Sequence, residues 1–234
     1  MSGVEPAIPR PALPDGARAG LGDRLRGWTA VGTAAVVPEL RLWLSADLHA
    51  TWAEMEAAFG LVDSPPPFWC VAWPGSQALA RVLLDNPSWA HGKRVLDFAS
   101  GCGLAGLAAA RAGAAAVLCA DLDPAAGAIA VENARLNGLS VKTTEADLAA
   151  GEGPAGPWDL VLAGDATYDT EPARQIRAFL AAQAAAGATV LLGDPGRPGG
   201  PVTGIERLAW VDVPTELRIE GMATKRTGVY RFTG

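Results

Sequence analysis

The sequence predicts a doubly wound α/β fold: a mostly parallel sheet with helices on both faces, an antiparallel last strand, and a small N-terminal strand and helix in front. Three observations carry this prediction. Residues 95–104 read Val-Leu-Asp-Phe-Ala-Ser-Gly-Cys-Gly-Leu, an apolar strand that reaches an acid, turns through glycines and opens a helix. About two dozen residues later Val117-Leu118-Cys119-Ala120-Asp121 repeats the pattern of an apolar strand ending in an acid. Beyond it, apolar runs and helical patterns alternate as far as Gly193, the order that builds parallel sheets.

Taken from the N-terminus, residues 1–27 are rich in Pro, Gly, Ala and Arg and are expected to form a flexible leader. Its arginines suggest an organelle transit peptide, but Glu5, Asp15 and Asp23 speak against one. Leu40 to Leu44 alternates like a short strand, and Trp52, Met55, Glu56 and Phe59 fall at helical spacing before Gly60 ends the segment. Pro65-Pro66-Pro67 forbids a helix and delivers the aromatic run Phe68 to Trp73. Pro74-Gly75 follows, then a helix expected to be capped by Ser76 and to run to Asn86-Pro87. After the two acid-ended strands, Pro124 starts a helix behind Asp123 that reaches Asn137-Gly138. The third, fourth and fifth strands fall at Val141–Glu145, Trp158–Asp165 and Ala188–Gly193, with a helix over 171–186 between the last two. Leu208–Val213 and Gly228–Phe232 supply the closing antiparallel pair. The chain thus reads as one domain over 28–234, with an N-terminal layer to residue 90 and a cofactor-binding core from 91.

Composition narrows the classes of function. A chain of 234 residues, half of them apolar, can bury a full α/β core. A net charge of -6 argues against a protein that grips nucleic acid over a broad basic surface. Cys70, Cys102 and Cys119 are odd in number and lack metal-ligand spacing, which excludes a disulfide framework and suits a reducing compartment. His49 and His91 lie in unrelated segments, so no metal site and no Ser/His/Asp trio is expected. No uncharged apolar run reaches membrane-spanning length. A monomer in a bacterial cytoplasm, without metal, membrane or nucleic-acid partners, is the expectation.

The glycine loop assigns the cofactor class. Gly101 and Gly103 lack Cβ atoms and let the backbone pass close to a ligand, and Asp121 stands where a carboxylate can take both hydroxyls of a ribose. A dinucleotide fingerprint has three glycines, and its first would fall at Ala99. Asp97 at the head of the loop suits an ammonium or sulfonium better than a pyrophosphate. S-adenosyl-L-methionine, which carries both cations, is therefore expected over a nicotinamide cofactor. Asp147 and the backbone of Leu148 lie where the third strand ends and can meet an adenine edge, and Ala99, Leu122 and Gly164 complete the cofactor set. The fourth strand delivers Asp165 to the edge where open α/β sheets bind ligands. Tyr168 follows three residues later. Arg197, in the loop after the fifth strand, is placed to meet a carboxylate of substrate or cofactor.

The segment 95–104 resembles motif I of the class I, seven-strand S-adenosylmethionine-dependent methyltransferases, which implies their Rossmann-like sheet. Trp73 before Pro74-Gly75 resembles the Trp that lines the cofactor pocket in the lysine-methyltransferase branch, and Asp165-Ala166-Thr167-Tyr168 resembles that branch's Asp/Glu-x-x-Tyr/Phe motif. Together with Pro67-Phe68-Trp69, Ala78-Leu79-Ala80-Arg81, Asp85-Asn86-Pro87 and Gly193-Asp194-Pro195-Gly196-Arg197, these segments are similar to the electron transfer flavoprotein beta-subunit lysine methyltransferases. The resemblance runs from about Pro38 to the C-terminus. It implies protein-lysine N-methylation of that flavoprotein subunit, with Asp165 orienting the incoming amine and Tyr168 walling its pocket. Asp169 stands where relatives often have Glu. Three alternatives remain open at this level: methylation of another protein, such as a ribosomal protein, or of a small amine; a cofactor-binding module that acts through protein contacts; and, disfavoured by the loop, an oxidoreductase.

Overall fold

The computed structural model describes residues 13–14, 16–167, 170–200 and 203–233. Helix α1 (Leu21–Gly27) leads into an antiparallel hairpin, β1 (Ala30–Ala34) and β2 (Val37–Leu44), and then α2 (Leu48–Phe59). The core follows as α3 (Pro74–Asp85), β3 (Arg94–Phe98), α4 (Leu104–Arg111), β4 (Ala116–Ala120), α5 (Pro124–Leu136) and β5 (Lys142–Thr144). It closes with β6 (Leu160–Gly164), α6 (Thr170–Ala185), β7 (Thr189–Asp194), β8 (Ile205–Pro214), the short α7 (Leu217–Glu220) and β9 (Thr224–Phe232).

Seven strands form one sheet in the order β5-β4-β3-β6-β7-β9-β8. The first five run parallel, and β9 is antiparallel to both β7 and β8. The chain works outward from β3 to β5 and then crosses back to β6, so strand order reverses between β3 and β6. Ligands of open α/β sheets bind at the carboxyl end of such a reversal.

Alternation along the strands sorts side chains between the two faces. Val95, Leu160, Leu162 and Leu191 pack with α3 and α4, while Leu96, Phe98, Val161 and Val190 pack with Ile176 and Leu180 of α6. Helix α3 belongs to this core rather than to a separate layer, since Ala78, Leu79, Ala80 and Leu83 are fully buried in it.

Two local expectations give way. The expected leader ends sooner than residue 27, because α1 is a formed helix whose Leu21 and Leu25 are buried against Ile129 of α5, and Arg26 pairs with Glu132 there. The leader's first twelve residues lie outside the described ones. Ser76 does not cap α3: the helix begins at Pro74, and Ser76 is buried within its first turn, against Gly164. Pro at the first helical position needs no donor there and already holds the helical φ.

The edge of β2 is covered by two asparagines of α5. Asn133 Oδ1 accepts from Trp43 N at 2.7 Å and Asn137 Oδ1 from Arg41 N at 2.9 Å. Asn133 Nδ2 also donates to Cys102 O at 2.9 Å, which ties the N-terminal hairpin to the glycine loop through one fully buried side chain.

Candidate active site

A cavity of about 450 Å³ opens at the carboxyl ends of β3, β4 and β6. Its walls include Trp73, Ala99, Gly101, Asp121, Leu122, Asp147, Leu148, Gly164 and Asp165, nine of the twelve residues that the sequence assigns to catalysis or to the cofactor, together with Arg197, expected at the same edge. Tyr168, a tenth, lies outside the described residues.

The other two sit behind the wall, for reasons the strand pattern supplies. Phe98 faces the cavity, so the neighbouring Asp97 points to the opposite face, where its Oδ2 accepts from Gly106 N of α4 at 2.8 Å. Burial pushes its carboxyl up to about 8, a rise opposed by that N–H and reinforced by the charge of Asp121. Gly103, at φ 79°, starts α4, and a Cβ there would stand 2.8 Å from Ala130 Cβ. Its glycine brings α4 against α5, while Gly101 provides the close approach to the cavity.

Asp121 is held ready at the end of β4. Its Oδ2 accepts from Gly101 N at 2.8 Å and its Oδ1 from Asp123 N at 3.0 Å, which leaves a lone pair on each oxygen for a diol. Asp147 is braced by Ala150 N at 3.0 Å, and Trp73 by its indole N–H on Phe68 O at 2.7 Å. Trp69 also belongs to the wall, and its buried indole N–H has no partner among the described residues, so a donor is left for a ligand. An acceptor diol site, an unpartnered N–H and apolar walls fit the adenosine end of S-adenosylmethionine, while Asp97, the acid expected to meet its cations, does not line the cavity. Burial also raises Asp121, and raises Asp123 to about 7 with the charge of Asp121 adding to it. Such a cluster of acids opposes a pyrophosphate.

Asp165 closes the far end. It follows β6 with left-handed backbone (φ 54°), as Ala99 does after β3 (φ 53°), and residues with a Cβ hold that conformation only where their surroundings impose it. Here the imposition comes from glycine. A Cβ on Gly193 would stand 2.1 Å from Gly75 O, so the start of α3 lies directly on the backbones of β6 and β7. That contact puts Gly75 N on Asp165 Oδ2 at 2.5 Å. Arg197 Nε reaches Asp165 Oδ1 at 2.8 Å. Asp165 therefore caps α3 and faces the cavity at once. Burial pushes its carboxyl up to about 6, against the pull of Arg197 and the Gly75 N–H.

The family model described as Ribosomal protein L11 methyltransferase (PrmA) matches residues 77–164. The electron transfer flavoprotein beta subunit lysine methyltransferase of Danio rerio is 34% identical over 207 residues, covering 86% of this chain and 79% of that protein. The chain belongs to the electron transfer flavoprotein beta subunit lysine methyltransferase family. Its Xenopus laevis member is 40% identical over 163 residues, which cover 69% of this chain and 65% of that protein, just under two thirds of its length. Magnesium protoporphyrin IX methyltransferase (ChlM) from Synechocystis PCC 6803, solved with bound SAM, shares the fold at 19% identity, with a TM-score of 0.50 over 67% of this chain and 79% of that one.

In this family member the sequence signals were strongest where a strand meets a loop. Trp69 stood out only as part of the aromatic run 68–73, and only the fold shows its N–H at the wall. Glu220, which holds Arg197 through both oxygens at 2.6 and 3.0 Å, carried no signal at all, because nothing in the tail marks α7 as part of the site. Among the described residues no cluster of His, Cys, Asp and Glu could hold a metal ion, and no helix is long and apolar enough to cross a membrane.

Proposed function

We propose that this protein transfers methyl groups from S-adenosylmethionine to lysine ε-amines of the electron transfer flavoprotein beta subunit. The observation that carries the reading is Asp165, a buried carboxylate at the far end of a cavity whose other end, at Asp121 and Asp147, suits an adenosine. The family relationship supplies the substrate, since the similar proteins from Danio rerio and Xenopus laevis bear that name.

When bound, S-adenosylmethionine supplies an electrophilic methyl group, which passes to the amine nitrogen as the S–CH3 electron pair stays on sulfur. The chain's own residues bind and align. Asp121 would accept from the ribose hydroxyls, and Trp73 and Phe68, whose edge-packed rings lie 5.7 Å apart, would wall the methionine end. Asp165 accepts an N–H of the lysine and points its lone pair along the cavity, and alignment of this kind supplies much of the rate of a bimolecular displacement. Tyr168, three residues on, is assigned the wall of the lysine pocket by its motif. The proton leaves to water or by way of Asp165.

A ribosomal protein is the second reading, favoured by the family-model match. That match covers residues 77–164 and stops before Asp165 and Arg197, so it speaks for the cofactor half of the site and not for the substrate half. The deciding experiment is intact-mass measurement of the recombinant beta subunit after incubation with the protein and S-adenosylmethionine. Increments of about 14 Da that vanish with Asp165→Ala, while cofactor binding persists, are expected from the mass of a methylene. An unmodified subunit beside a methylated ribosomal protein would transfer the reading to the second substrate.

A further inference from the structure

Four charges alternate behind the substrate end of the cavity. Arg197 meets Asp165 Oδ1 through Nε at 2.8 Å and Nη2 at 2.6 Å. The same guanidinium gives Nη1 and Nη2 to Glu220 at 3.0 and 2.6 Å, and Lys225 Nζ lies 3.4 Å beyond Glu220. The side chains of Asp165, Arg197 and Glu220 are 8, 17 and 5% exposed, so the pairing occurs under cover, where geometry governs an ion pair's strength. The members come from the end of β6, the β7–β8 loop, α7 and β9, four places that only the fold brings together. Arg197 is fixed further by its own N–H on Asp194 Oδ1 at 2.7 Å and by the ring of Trp73, 5.8 Å from its guanidinium carbon.

We propose that Arg197, anchored by Glu220, is a positioning residue that acts through Asp165 so that the site accepts the lysine side chain as a neutral amine. The proposal rests on the lysine-methylation reading above. A lone buried carboxylate would draw in an ammonium and stabilise it, which ties up the lone pair that methyl transfer needs. Asp165, Arg197, Glu220 and Lys225 together are neutral overall. An arriving ammonium gains little from them and meets a like charge, so its proton passes to water as the amine settles. The neutral amine still donates an N–H to Asp165 and is held in line. After transfer the nitrogen carries the new methyl and sheds its extra proton to solvent.

Glu220 supplies what Arg197 requires to do this. It takes both Nη atoms and turns the guanidinium edge that carries Nε toward Asp165, a fork geometry that lysine lacks. Among the described residues the charged groups facing Asp165 are Arg197 and Glu220, with Lys225 and Asp194 behind them, and α3 contributes the Gly75 N–H.

The test begins without substrate. In the full chain, the carboxyl carbon of Asp165, assigned in 13C spectra by its loss in Asp165→Asn, should titrate at about 6. Arg197→Met should raise that midpoint by about one unit or more, the usual influence of an adjacent opposite charge, and Arg197→Lys by less than half as much. With S-adenosylmethionine and the recombinant beta subunit, the acid limb of kcat should move up by the same amount in Arg197→Met. Glu220→Gln should lower kcat roughly tenfold with the cofactor Kd unchanged, the scale of one lost positioning contact. A lowered kcat with unmoved midpoints in Arg197→Met would make the arginine purely structural, and a faster enzyme at every pH would make it a plug over Asp165. Either result overturns the proposal. A shifted carboxyl titration in a protein that methylates no lysine would instead remove the lysine reading and leave the hold of Arg197 on Asp165 standing.

Discussion

At the scale of single residues, the acids at the strand ends do different work according to the face they take. Asp121 reaches the cavity and Asp97 turns away into the packing under α4. The consequence for Asp97 is a stability that depends on pH. Its folded carboxyl is raised to about 8, well above an unfolded aspartate, so the folded state keeps a proton that the unfolded state has lost over most of the range between pH 4 and 8. Stability is complete below the unfolded value and drains as pH rises through the folded one. Asp123, raised to about 7, and Asp165, raised to about 6, act with the same sign. Urea midpoints should therefore fall from pH 5 to pH 8, and Asp97→Asn, whose amide oxygen can still accept from Gly106 N, should flatten that fall. A slope unchanged in Asp97→Asn would place the pH dependence elsewhere. Sequence located these acids because a strand's last polar residue stands out against apolar neighbours. It misplaced the Asp97 side chain because successive side chains of a strand take opposite faces, and which face borders the cavity, here that of Phe98, is settled only when the helices pack on the sheet.

At the scale of elements, glycine contacts decide how closely α3 approaches the sheet, and α3 in turn holds Asp165. Gly193→Ala would place a Cβ 2.1 Å from Gly75 O and 2.9 Å from Gly75 Cα, backbone atoms that cannot swing aside. We expect it to cost about 3 kcal/mol or more, as overpacking of a closed contact does, and to weaken the Gly75–Asp165 bond, read as a lowered Tm with loss of methylation. Helix α1 tests the opposite end of the fold. Leu25 is fully buried against α5, and Leu25→Ala should lower unfolding free energy by about 2–4 kcal/mol in urea titrations. A loss near zero would return residues 21–27 to the leader. Strands and helices of the core were readable because their apolar periods are long and bounded by Gly or Pro. Helix α1 was not, since seven residues with glycine at both ends carry too little periodic signal, and its stability comes from α5 rather than from its own sequence.

For the whole molecule, the three thiols are sealed by the fold, and none of them lines the proposed cofactor seat. Cys70 precedes the Trp73 segment, Cys102 lies in the glycine loop and Cys119 is the penultimate residue of β4, all buried. Burial pushes Cys70 and Cys102 up to about 12 and Cys119 well above its ordinary value, so a native thiolate is scarce at neutral pH. A thiol reagent should find no reactive cysteine in the folded protein and three after unfolding, which makes labelling a report on opening. Opening of the loop that carries Cys102 separates Gly101 N from Asp121, the contact that shapes the ribose site. Ligand must then leave before Cys102 is exposed. By mass action, S-adenosylhomocysteine at about one hundred times its Kd should slow Cys102 labelling about a hundredfold when opening is fast relative to reaction. Equal Cys102 rates with and without ligand, at a concentration where calorimetry shows the site filled, would mean that the glycine loop is not where the adenosine sits, and would dismantle the site assigned to Asp121 and Gly101.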